Sequence, residues 1–121
     1  MKFLSSALLS LTLASATAVA QDCAIPDTPD LPDGGSSTME QMLEGQKTVK
    51  AFQEAATKYR ECLDVKIAEA TDAATADEAT DADIAALRAL EQQYNTSVSS
   101  EEALAEEFNT QIRTFKSVNP G

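Results

Sequence analysis

Apolar side chains recur every seven residues from Met42 through Val49, Ala56 and Leu63 to Ala70, with Phe52 and Tyr59 at positions between them. A repeat of seven keeps one stripe on one side of an α-helix, whereas a strand needs alternation every two residues. Ser36-Ser37-Thr38 offers helix caps, and both Ser37…Glu40 and Thr38…Gln41 fit a capping box. The spacing predicts an amphipathic helix over about residues 38–70, about 50 Å long. Gly45 falls on the stripe and weakens it locally by up to about 1 kcal/mol. A stripe of this length needs a cover of similar length.

The second half supplies one. Residues 71–83 lack large apolar groups and predict a turn near 71–76, with Thr75…Glu78 as the next capping box. Ile84, Leu87, Leu90, Tyr94 and Val98 then step by three and four, and the pattern resumes at Leu104, Phe108, Ile112 and Phe115. This predicts a second helix over about 77–117, ended by Asn119-Pro120-Gly121 in a tail at 118–121. Asn95 to Ser100 has poor helix propensity, and Ser99…Glu102 fits a cap. A three-helix bundle with a break near 96–100 is therefore the rival. The expected fold is all-α, a long antiparallel two-helix hairpin with coiled-coil-like packing and an extended N-terminal strap.

That strap is residues 21–37. Pro26, Pro29 and Pro32 recur at the three-residue period of polyproline II. One face then carries Cys23 and the prolines, a second Ile25, Thr28 and Leu31, and a third Asp27, Asp30 and Asp33. Such a strap should lie on the helices with its Asp face outward; a free Pro/Asp-rich linker is the competing reading. Gly34-Gly35 turns the chain into the first helix.

Folded back along that helix, the strap reaches far enough to join Cys23 to Cys62. Polyproline geometry gives it about 46 Å, and Cys62 stands about 36 Å into the helix. An intramolecular disulfide is the expectation, with an intermolecular bridge or a reactive thiol as alternatives. A reactive thiol wants a second close Cys or a basic partner, and only Arg60 is near.

Residues 1–20 read as a secretory signal peptide: Lys2, an apolar run from Phe3 to Leu13, and Ala18-Val19-Ala20 before a cleavage between Ala20 and Gln21. The run is too short and too rich in Ser and Thr for a retained anchor, so no membrane span is expected after cleavage. The residues before Cys23 do not fit a lipoprotein signal. The expected location is secreted, in the periplasm.

After cleavage eight bases face twenty acids, a net charge of −12. Such a surface argues against nucleic acid, whose phosphates need Lys and Arg. Five of the bases, Lys47, Lys50, Lys58, Arg60 and Lys66, lie on the first helix, with acidic segments before and after it, so packing should set bases among acids. The absence of His removes His-based triads, zinc sites and proton shuttles.

Asp27, Asp30 and Asp33, like Asp81 and Asp83, lack the ligand spacing of a calcium loop. Glu101-Glu102 and Glu106-Glu107 read as solvated. Phe52, Tyr59, Tyr94, Phe108 and Phe115 read as seam packing rather than a ligand box. Asn95-Thr96-Ser97 matches a glycosylation acceptor that matters only in a host with that machinery. No catalytic, cofactor or metal residue is expected.

Cys23-x-x-Pro26-x-x-Pro29-x-x-Pro32-Asp33-Gly34, followed by Met42-Leu43, Gln46, Val49-Lys50, Phe52 and Tyr59-x-x-Cys62-Leu63, resembles a group of small exported proteobacterial proteins of unknown function. The resemblance covers about residues 23–63. It implies a bacterial, periplasmic setting and a stapled hairpin, and it brings no activity with it. The expected role is a non-enzymatic structural or protein-interaction module that binds a protein partner or self-associates, a dimer forming a four-helix bundle. A small holdase-type chaperone is the alternative.

Overall fold

Thr38 opens the first helix, α1 (Met39–Ala74). Its hydroxyl accepts from the Gln41 amide at 3.2 Å, while Gln41 Oε1 accepts from the Thr38 amide at 2.8 Å. Of the two possible capping boxes, the chain uses the later. Every position of the heptad from Met42 to Leu63 is buried, with Gly45, Phe52 and Tyr59 beside them. The computed structural model describes residues 22–121, and the proposed cleavage site at Ala20–Gln21 lies outside them.

α1 continues four residues past the expected end near Ala70. Alanines at 73 and 74 favour helix without any core to bury. The Thr71 and Thr75 hydroxyls donate to the carbonyls of Ile67 and Thr71, each at 2.7 Å. Thr75 therefore closes α1 and is not the cap of the next helix, correcting the expected start at 77.

The connection is residues 75–80, and α2 (Asp81–Val118) begins behind Thr80. Here Asp83 fills the capping-box role expected of Glu78, accepting from the Thr80 amide at 2.8 Å and its hydroxyl at 3.0 Å. Those two hydrogen bonds hold the Asp83 carboxyl below its ordinary pKa. A depressed carboxylate contributes its stability above the unfolded-state value and loses it as pH falls through the lowered one.

α2 runs unbroken through 95–100, so the hairpin is the fold and the three-helix reading is set aside. Leu104 and Phe108 are buried, whereas Leu87, Leu90, Tyr94 and Val98 are only half-buried and Ile84 is exposed. The core therefore lies toward the open end of the hairpin. There Met42, Val49, Phe52, Leu104 and Phe108 cluster, with Leu31, Ile112 and Phe115 against them. Among the described residues, no helix is long and apolar enough to cross a membrane.

The strap explains that asymmetry. Cys23, Pro26, Pro29 and Pro32 turn inward and Asp27, Asp30 and Asp33 outward, as the three-residue period predicts. The second face departs from expectation: Leu31 is half-buried, but Thr28 is exposed and Ile25 is 72% exposed. Pro32 sits on Gly45, where a Cβ would come within 2.7 Å of the proline ring and 3.0 Å of Phe108. Gly45 thus admits both strap and partner helix to the seam, which repays its low helix propensity.

Gly34 is buried against α2, donating its amide to Gln111 Oε1 at 2.8 Å. Asp33 shapes the turn between strap and helix, accepting from the Gly35 amide at 2.9 Å. The far end of the strap is fixed by the Cys23–Cys62 disulfide, with the two Cα atoms 5.6 Å apart.

Two outcomes test this architecture. Reducing the disulfide frees a loop closed across 39 residues, a constraint of about 4 kcal/mol in the chain-entropy treatment. The thermal midpoint should fall by about 15 °C or more, with helical circular dichroism at low temperature little changed; an unmoved midpoint would mean the strap is held without the bond. Gly34→Ala would set a Cβ onto the Gln111 carbonyl and 2.9 Å from the Phe115 amide nitrogen. It should cost about 1–3 kcal/mol in urea unfolding, and a wild-type midpoint would refute the close approach.

Candidate functional site

Three elements meet midway along the hairpin. The strap contributes Ile25, Pro26 and Thr28, and α1 contributes Phe52 and Tyr59. From α2 come Gln92, Thr96 and Ser100, spaced by four along one helical face, with Ser97 beside them three residues before Ser100. They enclose a half-open cavity of about 390 Å³. Its floor is aromatic, one wall is apolar strap, and the facing wall is neutral and polar.

The α2 wall consists of small and amide side chains, Ala89, Gln92 and Gln93 before the polar run and Thr96, Ser97 and Ser100 within it. Large apolar side chains stop at Val98 and resume at Leu104, and residues 95–100 are mostly small hydroxyl and amide groups. Opposite Phe52 and Tyr59 these groups do not fill the space beneath the strap.

An ion pair ties the helices together beside this point. Arg60 Nη2 lies 2.7 Å from Glu101 Oε2, with side chains only 15% and 22% exposed. Arg60 Nη1 also donates to Ser97 Oγ at 3.2 Å. Glu101, expected to be solvated beside Glu102, is therefore the anchor of an inter-helix contact.

The wider pairing of bases with acids is met only in part. Lys66 approaches Asp22 of the strap at 3.9 Å, but Asp22 is fully exposed and such a contact contributes little. Lys47 pairs with Glu44 on its own helix, and among the described residues Lys50 and Lys58 make no ion pair.

The two cysteines expected to bond are joined to each other, leaving no free thiol among the described residues. The acidic residues are dispersed: among the described residues, no three His, Cys, Asp or Glu side chains gather where they could hold a metal ion. Of the aromatics read as seam packing, Phe52 and Tyr59 belong to the buried stripe and also floor the cavity. The sequence signal was the run from Asn95 to Ser100, whose low helix propensity suggested a break rather than a recess.

Comparison with protein-family models, curated proteins and solved structures finds no match to this chain.

The Arg60 contact yields a direct test. Arg60→Ala removes the cation from a partly buried carboxylate and from Ser97, so it should cost about 1–2 kcal/mol, above the level of an exposed pair. Glu101→Gln in the same background should recover part of that loss. Chemical denaturation of the two variants checks both, and a wild-type midpoint for Arg60→Ala would mean the pair carries no stability.

Proposed function

We propose that this chain is an exported, non-enzymatic helical protein that works in the periplasm as a structural or protein-interaction module, binding a protein partner or a second copy of itself. The observation that carries the reading is the Cys23–Cys62 staple. A structural disulfide forms and persists in an oxidising compartment, and it agrees with the address read from residues 1–20. Resemblance of residues 23–63 to small exported proteobacterial proteins points to the same setting.

Support for a non-enzymatic role comes from what the polar groups do. Asp33 shapes a turn, Asp83 caps a helix, and Glu101 is committed to Arg60. Support for an interaction role comes from the open end of the hairpin. Met39 and Leu43 are 59% and 51% exposed and border a cleft with Phe108, Ile112 and Phe115. Other large exposed apolar groups, Val65 and Val118 among them, are scattered rather than gathered into the broad patch a holdase would present.

Expression of the whole chain in a Gram-negative host tests the reading. Intact mass of the periplasmic fraction should correspond to a chain beginning at Gln21 with both cysteines oxidised. An unprocessed cytoplasmic chain with free thiols would overturn it. Light scattering over a concentration series separates self-association from a monomer awaiting a different partner. Suppression of a client's aggregation at near-stoichiometric ratio would favour the holdase instead.

A further inference from the structure

The cavity beneath the strap carries more than an accident of packing. Tyr59 is 5% exposed, yet its hydroxyl makes no hydrogen bond to another described residue. No fully buried side-chain oxygen or nitrogen is left unpartnered among those residues, so this hydroxyl keeps some access to solvent, and Tyr59 lines the cavity.

Thr96 departs from its neighbours in the same direction. Thr48, Thr57, Thr71, Thr110 and Thr114 each return the hydroxyl to the carbonyl four residues back. Thr96, on the cavity wall, makes no such bond among the described residues. Ser97 accepts from Arg60 at 3.2 Å, which leaves its own proton free to be donated. A hydroxyl that accepts from a cation becomes the stronger donor.

The lining also defines what fits. It contains no charged side chain, because Arg60 is already engaged by Glu101. An ionic ligand would give up part of its hydration in this half-open cavity with no counter-charge to replace it. Anions would further meet the chain's net charge of −11. A volume of about 390 Å³ lies within the range of small-molecule sites, and Phe52 and Tyr59, themselves almost fully buried, give it a rigid apolar base.

We propose that this cavity binds an uncharged, ring-containing small molecule, seated against Phe52 and Tyr59 beside Ile25, with its polar groups hydrogen-bonded among the hydroxyls of Tyr59, Thr96 and Ser97. The site is independent of the protein-interaction reading: it requires no partner and no particular compartment beyond one that keeps the staple closed. The polar stretch of α2 then serves to form the recess, and the disulfide holds its apolar wall in position.

The test uses the oxidised protein and three probes of one shape: neutral 2-naphthol, anionic 2-naphthoate and cationic 2-naphthylmethylammonium. Two-dimensional amide NMR titration should show saturable binding of 2-naphthol, with shifts centred on Tyr59, Thr96, Ser97 and Ser100. Both charged probes should bind at least about tenfold more weakly. Thr96→Leu, at an exposed helical position that tolerates leucine, should fill the recess and weaken 2-naphthol by about tenfold or more. Tyr59→Phe removes only the hydroxyl and should weaken it about fivefold.

No saturable binding at millimolar probe would overturn the proposal. So would shifts centred on the Met39–Leu43 cleft, or affinity unchanged in a folded Thr96→Leu protein. A charged probe binding as tightly as 2-naphthol would overturn the ligand class. Loss of folding in Tyr59→Phe would leave the decision to Thr96→Leu, which does not touch the buried stripe.

Discussion

Two helices packed side by side bury one stripe each, and both flanks of the seam stay open to water. In a chain with few aromatics that leaves a thin core. The contact on which the rest of this fold depends is the seating of the strap along one flank, fixed at Cys62 by a covalent bond and at the other end by Gly34 and Pro32. Between those ends an inward face of prolines covers the seam with side chains that lose little entropy on burial. Polyproline backbone is already extended before it docks, so the ordering cost of the strap is lower than for an ordinary loop.

Seating demands glycine twice, for different reasons. At Gly45 a helix surrenders a side chain so that the Pro32 ring and Phe108 meet over its backbone. At Gly34 the loop surrenders one so that it can lie on the α2 backbone and donate to Gln111. The two lie close to the core cluster, where Leu31, Phe108 and Phe115 converge. Burial runs on α1 as far as Leu63, next to the disulfide that ends the strap, and it thins toward the 75–80 turn, where Leu87 and Leu90 remain half-buried.

Period was the legible part of the sequence. Steps of seven on α1, of three and four on α2, and of three in the strap each mapped onto the face that is buried, because each period is fixed by backbone geometry. Ile25 shows where that logic stops: the period assigns it to an apolar face, yet a strap docked on two cylinders buries only the face wedged between them. The helix junction was missed because Thr75 has two uses, capping the next helix or closing the last, and local sequence does not choose between them. Asp83 was missed as a cap because the expected pattern has Glu or Gln at that position. The recess could not be read from one helix alone, since it arises where the polar run of α2 meets Phe52 and Tyr59 of α1.

That polar run also raises a question of free energy. Asn, Thr, Ser and Val each cost about 0.5 kcal/mol relative to Ala within a helix, so six such residues cost roughly 3 kcal/mol. A mostly exposed helix face built only for stability would carry better helix formers there, such as alanine, glutamate or lysine. The Arg60–Glu101 pair and its bond to Ser97 offset part of the cost and explain why the helix does not break. They do not explain Thr96 and Ser100, whose hydroxyls bond to no other described residue and which line the cavity. A run that weakens its own helix beside a recess based on Phe52 and Tyr59 has the composition expected of a site that gives up some stability for binding.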